Sequence, residues 1–348
     1  MTKDVHFSCR YVKYTRHFVR CQVNFTKKII FFTWIATSLF NNDITTIIIY
    51  NVIMLNESEL SKKTIFSFEV FPPKKDMPID TIFSTLDELK GLNPDFISVT
   101  FGAGGSANSG NSVAIAKRIK EVCKVEPVIH MPCINMSKED ATKVLEQFDS
   151  AGIDNILALR GDKTPGVEPY GDFKYASDLI SFIKAYENGT KKFNIIGACY
   201  PELHPESKSV YNDIDFLKLK VDAGATHLLS QLFFDNSQFY RFLERCQIKG
   251  INVPIEAGIM PVTNKKSVER MVSMTNAKLP KKFTDMMERY ENCPEAIRDA
   301  GIAYAIDQIV DLITHGVQGI HLYTMNNPLV ARRIFEATRS LFEVSPLI

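Results

Sequence analysis

From residue 64 onward, short apolar runs alternate with polar loops and with stretches whose apolar residues recur at helical spacing. The first run, Thr64-Ile65-Phe66-Ser67-Phe68-Glu69-Val70-Phe71-Pro72-Pro73, is rich in β-formers. Pro72-Pro73 removes two backbone donors and stops the strand. Strands are predicted over 65–71, 95–101, 127–131, 155–159, 194–200, 227–233, 254–259 and 319–323. Helical patterns fill 78–90, 112–123, 175–186, 214–222, 237–246, 265–274, 280–290, 294–315 and 328–341, and a further helix opens at Ser137-Lys138-Glu139-Asp140 as a capping-type start. Strands that are apolar throughout fit a parallel sheet covered on both faces. Eight such units over about 285 residues fit one (β/α)8 TIM barrel, with a doubly wound open sheet as the alternative.

The first fifty-odd residues do not share this pattern. Residues 1–53 carry seven Lys or Arg and two Asp, leaving 34 basic and 38 acidic residues for the remainder. Two apolar runs, 29–40 and 44–53, flank Asn41-Asn42-Asp43, and neither reaches the roughly 20 residues of a membrane span. We read residues 1–53 as an N-terminal extension outside the fold, a mis-assigned start or a dispensable tail, and 54–348 as the barrel. A targeting segment and a membrane anchor are the competing readings.

Composition excludes little else. The chain has 348 residues, 45% hydrophobic and 23% charged, with net charge +1, so no global field points to nucleic acid or to an anionic membrane. Seven cysteines, none in a C-x-x-C pair, suit a reducing, cytoplasmic setting. The seven histidines show no metal-binding spacing.

In a barrel of this kind catalytic groups sit at the C-terminal ends of the strands. The polar residues predicted there are Glu69, Thr100, His130, Arg160 with Asp162, Tyr200 with His204, Gln231 and Tyr323. Each alone suits packing or solvent; seven strands placing polar groups on one rim do not. Glu69 lies between aromatic residues, so desolvation should raise its pKa and keep it protonated, as a general acid requires. Gln231 and Asp162 follow apolar runs and, if buried, must find partners. The glycine-rich loop Gly102-Ala103-Gly104-Gly105-Ser106 lets backbone approach a phosphate or simply forms a tight turn, and it lacks the dinucleotide and P-loop patterns.

Eight stretches in order resemble the methylenetetrahydrofolate reductase family, in its bacterial form with the catalytic barrel alone. They are Phe68-Glu69-Val70-Phe71-Pro72-Pro73, Ser98-Val99-Thr100-Phe101-Gly102-Ala103, Ala158-Leu159-Arg160-Gly161-Asp162, Tyr200-Pro201-Glu202-Leu203-His204-Pro205-Glu206, Val221-Asp222-Ala223-Gly224-Ala225, Gln231-Leu232-Phe233-Phe234-Asp235, Gly258-Ile259-Met260-Pro261-Val262 and Leu322-Tyr323-Thr324-Met325-Asn326. They cover about residues 63–342.

The resemblance implies non-covalent FAD, reduced by NADH or NADPH, and hydride delivery to 5,10-methylenetetrahydrofolate to give 5-methyltetrahydrofolate for methionine synthesis and one-carbon metabolism. It implies Glu69 as general acid and Asp162 as the carboxylate beside the flavin. His130, Arg160, Gly161, Asp162, Ala198, Tyr200, His204 and Lys220 would hold FAD, with Thr100 alongside. Gln231 and Tyr323 would face folate or nicotinamide. The implied partners are the folate, NAD(P)H and further copies of the chain in a homo-oligomer, with neither nucleic acid nor membrane. Lys265 stands where some members have an aromatic residue, and Asn327 where an arginine often sits. Two other readings are a different flavin barrel, such as one oxidising proline, and a non-catalytic folate- or flavin-binding module.

Overall fold

Alternation within the first strand sets the architecture. In β1 (Ile65–Val70) the outward-facing Phe66, Phe68 and Val70 are buried beneath helices. Ser67, on the opposite face, donates across the barrel interior to Glu256 Oε2 at 2.7 Å. Glu69, two residues on, shares that inward face. The structure, a computed structural model, describes residues 63–74, 77–101, 109–163, 166, 168–186 and 192–344.

Seven further strands follow: β2 (Phe96–Val99), β3 (Glu126–Pro132), β4 (Asn155–Leu159), β5 (Asn194–Cys199), β6 (His227–Ser230), β7 (Ile255–Ile259) and β8 (Gly319–Tyr323). All neighbours pair in parallel, and β8 closes on β1 through the register Ser67–His321 and Glu69–Tyr323. The result is a closed eight-stranded (β/α)8 barrel. Its helices are α1 (Asp80–Leu89), α2 (Ser109–Arg118), α3 (Lys138–Ser150), α4 (Ala176–Tyr186), α5 (Val210–Asp222), α6 (Asn236–Ile248), α7 (Lys265–Thr275), α8 (Lys281–Tyr290), α9 (Pro294–Thr314) and α10 (Pro328–Phe342). Helix α3 starts on the expected capping box: Ser137 accepts from Asp140 N while the Asp140 side chain accepts from Ser137 N.

The barrel interior is divided. Val128, Leu157, Ile196 and Leu229, with Phe96 and Leu159 against them, form an apolar cluster on β2 to β6. The remaining interior is polar: Ser67, Ser98, Glu256 and His321 are all fully buried.

Four strands end earlier than their apolar runs predict. β1 stops at Val70, β2 at Val99, β5 at Cys199 and β6 at Ser230. Apolarity continues past each end because the loops also pack on the core, as buried Phe101, Leu232 and Phe233 show. Hydrophobic runs therefore overstate strand length here. Helix α5 begins a turn before the predicted 214, because Ser209 caps it by accepting from Asn212 N, and its first turn is polar.

Residues 60–348 cluster as one compact unit. The N-terminal extension 1–53 and the glycine loop 102–106 lie outside the described residues. Among the described residues, no helix is long and apolar enough to cross a membrane, and no group of three His, Cys, Asp or Glu side chains could hold a metal ion.

Candidate active site

The C-terminal rim gathers the predicted residues in two ways. Glu69, His130 and Tyr323 lie within β1, β3 and β8, so the barrel itself aims them. Thr100, Arg160, Tyr200 and Gln231 each lie one residue beyond a strand.

Burial pushes the Glu69 carboxyl up to about 8, so it is protonated at neutral pH. Its backbone is held from β8: Thr324 Oγ1 donates to Glu69 O at 2.8 Å. Two residues on, Asn326 clamps Phe71, accepting from Phe71 N at 3.0 Å and donating to Phe71 O at 2.8 Å. Asn326 adopts φ 54°, a left-handed conformation that asparagine tolerates better than most residues. The chain thus leaves β1 tied to the segment after β8 at the acid itself and two residues beyond it.

His130 Nε2 lies 3.5 Å from Glu69 Oε2. Burial lowers the imidazole to about 3, so it is neutral beside a neutral acid. Its Nε2 is buried and makes no hydrogen bond among the described residues. A buried orphan of this kind on a rim is a position awaiting a ligand partner.

The ends of β4 and β5 carry the basic and aromatic groups. Arg160 forms a bidentate pair with Glu206, both contacts 2.7 Å. His204 stacks edge-on against Tyr200, centroids 4.5 Å apart, and its backbone N–H donates to Asp213. Burial pushes Tyr200 up to about 12, with the Asp162 charge adding to the effect. Lys220 reaches in from α5 to donate to Ala198 O at 2.7 Å, and burial lowers its pKa. Gly161 has φ +83°, and a Cβ there would lie 2.9 Å from Pro132 Cβ, so only glycine fits the turn between Arg160 and Asp162.

Two sequence expectations change. Asp162 is exposed rather than buried, so nothing in the fold forces it to find a partner. Gln231 is half-buried, and its Oε1 accepts from the adjacent Leu232 N at 2.9 Å, a local bond that leaves its amide donors uncommitted by that contact. Arg160 is already neutralised by Glu206, and Lys220 is depressed by burial. The rim is therefore less cationic than its basic residues suggest.

Tyr323 donates to Ser230 O at 2.7 Å, and burial raises its pKa well above the ordinary phenol. Gly258 permits this: a Cβ there would meet Ser230 O at 2.3 Å and the Tyr323 ring at 2.7 Å. Lys265 is paired with Glu291. Asn327 caps α10, accepting from Val330 N at 3.2 Å. A cleft of about 160 Å³ between the β7 and β8 loops is lined by Thr263, Asn264, Ser267, Thr324 and Asn327.

Sequence reasoning missed Glu206 as the partner of Arg160, and Thr324 and Asn326 as the ties on β1. Both ties sit in the Leu322–Asn326 stretch, but only the β1–β8 closure shows what they hold.

The arrangement offers a protonated carboxyl, a neutral imidazole with a free nitrogen, and an arginine, a histidine and a lysine on consecutive elements. A phosphate-bearing aromatic cofactor beside an acid-requiring substrate fits those groups.

Comparison with known proteins shows the family. The family model for methylenetetrahydrofolate reductase matches residues 54–339. A 5,10-methylenetetrahydrofolate reductase of Pectobacterium carotovorum is 39% identical over 275 residues, covering 78% of this chain and 90% of that protein. Methylenetetrahydrofolate reductase (NADH) 1 of Arabidopsis thaliana is 38% identical over 277 residues, covering 76% of this chain and 46% of that longer protein. A Clostridium thermocellum protein solved with two copies of 5-methyl-5,6,7,8-tetrahydrofolic acid shares the fold, with TM-score 0.57 at 12% identity, over 83% of this chain and 99% of its own. By family match and by identity over most of its length, the chain belongs to the methylenetetrahydrofolate reductase family.

Proposed function

We propose that the chain reduces 5,10-methylenetetrahydrofolate to 5-methyltetrahydrofolate, using FAD and a reduced nicotinamide, and so feeds methionine synthesis and one-carbon metabolism. The single observation that carries this reading is Glu69, a carboxyl on the rim whose burial keeps it protonated to about pH 8. The relative from Arabidopsis is named for NADH, which favours NADH as donor.

FAD fits the residues present. The unpartnered His130 Nε2 offers a polar contact, Arg160 and Tyr200 follow the adjacent strands β4 and β5, His204 stacks on Tyr200, and Lys220 reaches Ala198 O from α5. With Gly161, Asp162, Ala198 and Thr100 they would hold the cofactor, which when bound supplies two-electron hydride transfer from nicotinamide to folate.

The protein's own part is protonation and charge placement. Glu69 gives its proton to the folate nitrogen that leaves as the methylene bridge opens, and the substrate becomes an iminium cation. The Asp162 carboxylate stabilises that positive charge. Gln231 presents amide donors to the substrate face. Tyr323, held by Ser230, closes the β8 side with a ring whose burial keeps it un-ionised.

The full chain, titrated with FAD, should take on a flavin spectrum and bleach with NADH. A protein that acquires no flavin absorbance would refute the reading. Bleaching by proline rather than NADH would assign a different flavin barrel.

A further inference from the structure

The barrel interior holds titratable groups that the rim chemistry leaves unused. His227 at the start of β6 lies with Nε2 2.7 Å from Glu256 Oε1, close enough to exchange a proton once the ring turns, although neither atom completes an aligned hydrogen bond among the described residues. Glu256, wholly buried on β7, accepts from Ser67 Oγ at 2.7 Å through its other oxygen. Ser67 Oγ lies 2.7 Å from His321 Nδ1, and His321 Nε2 lies 3.3 Å from Ser98 Oγ. Ser98 is the register partner of Glu69 on the neighbouring strand.

The lower end of this series meets an opening. His227 lines a cavity of about 590 Å³ at the N-terminal mouth, together with Asp95, Glu126, Asp154 and Asn194. That mouth is at the opposite end of the strands from the Glu69 rim.

The geometry points to a proton path through the barrel, from the N-terminal mouth by way of His227, Glu256, Ser67, His321 and Ser98 to Glu69. The inference rests on the proposed function, in which Glu69 surrenders one proton per turnover and must regain it. A supply from the far end reaches Glu69 without crossing the substrate.

Bond polarity fits such a path. With Glu256 as a carboxylate, Ser67 must donate to it, so His321 donates from Nδ1 to Ser67 and accepts at Nε2 from Ser98. That is the polarity left after one proton has moved upward. In that transfer Glu256 gives its proton to Ser67, Ser67 gives its own to His321 Nδ1, His321 releases the Nε2 proton to Ser98, and Ser98 passes one to the Glu69 carboxylate. Glu256 then takes a replacement from His227, and His227 from water at the mouth. Every hydroxyl and imidazole ends with as many protons as it began, but His321 is left in its Nδ1 tautomer, so the hydroxyls must turn and His321 must return to the Nε2 tautomer before the next transfer. Burial holds His321 near 3, so it carries the proton only in passage. Ser98 and Glu69 are register partners on adjacent strands whose backbones lie about 4.8 Å apart, and the path requires one water or a turn of the Glu69 side chain to join their polar atoms.

The test measures both half-reactions of the FAD-loaded full chain in Glu256→Gln, Ser67→Ala and His227→Ala, with flavin content and melting temperature alongside. The path predicts flavin reduction by NADH at the wild-type rate. It predicts folate reduction slowed about tenfold with an enlarged solvent deuterium effect. It also predicts recovery of the His227→Ala variant as imidazole is added, because the cavity admits it. Should Glu256→Gln fail to fold, Ser67→Ala and the imidazole titration decide. Wild-type folate rates in the folded variants overturn the path. So does equal slowing of both half-reactions with a lowered melting temperature, the signature of a purely structural network. A wild type that binds flavin but reduces no folate overturns the proposed function instead.

Discussion

At the residue scale the acid is made by its surroundings. Glu69 lies desolvated on the inward face of β1 beside a neutral His130, so no counter-charge offsets the cost of ionising it. Its pKa near 8 lies above the ordinary carboxylate value, so the acid form dominates at neutral pH and is lost as pH rises through about 8. The folate step should therefore be flat below about pH 7 and fall about tenfold per unit above 8. Glu69→Gln should lower that step by at least about a hundredfold and erase its pH limb, while flavin reduction by NADH stays within about twofold. Stopped-flow traces of the two half-reactions separate them; equal losses in both would contradict the assignment.

Single positions were legible where a side chain's chemistry conflicts with its neighbours. Glu69 between phenylalanines is such a conflict in the sequence, and its burial on the inward face of β1 raises its pKa as expected. The exposure of Asp162 was not legible, because three residues past a strand the chain had already turned to solvent. Glu206 was not legible either: its pairing with Arg160 depends on two loops meeting, 46 residues apart in the chain.

At the element scale the repeating strand–helix pattern specified eight units and their order, since parallel strands buried on both faces write continuous apolar runs. Strand ends were less clear, because Phe101, Leu232 and Phe233 continue the apolar runs into loops. The junction of β1 and β8 depends on features with no local signal. Asn326 replaces two ladder bonds with its amide, holding Phe71 while its own backbone turns left-handed. Asn326→Ala leaves the Phe71 N–H and C=O without those partners and should cost about 1–3 kcal/mol. Chemical denaturation with an unchanged slope would register the loss. A midpoint equal to wild type would show that the clamp contributes nothing.

At the scale of the whole molecule the barrel divides its interior between an apolar cluster on β2 to β6 and a polar series that continues to β8 and β1. No sequence period marks that division. Ser67, Ser98, Glu256 and His321 each look like an isolated polar residue in an apolar strand, and only closure brings them together. The rim stands above this asymmetric core: acid and tyrosine on the β8–β1 side, basic residues on the β4–β5 side. That separation suits a reaction in which proton donation and cofactor anchoring happen at different walls of one site.

The most direct measurement takes the full chain loaded with FAD, reduces it anaerobically with one equivalent of NADH, and mixes it with 5,10-methylenetetrahydrofolate. The account predicts that flavin absorbance returns in one phase, with one 5-methyltetrahydrofolate formed per flavin reoxidised. Flavin that stays bleached in the presence of the folate, or reoxidises without forming that product, would contradict it.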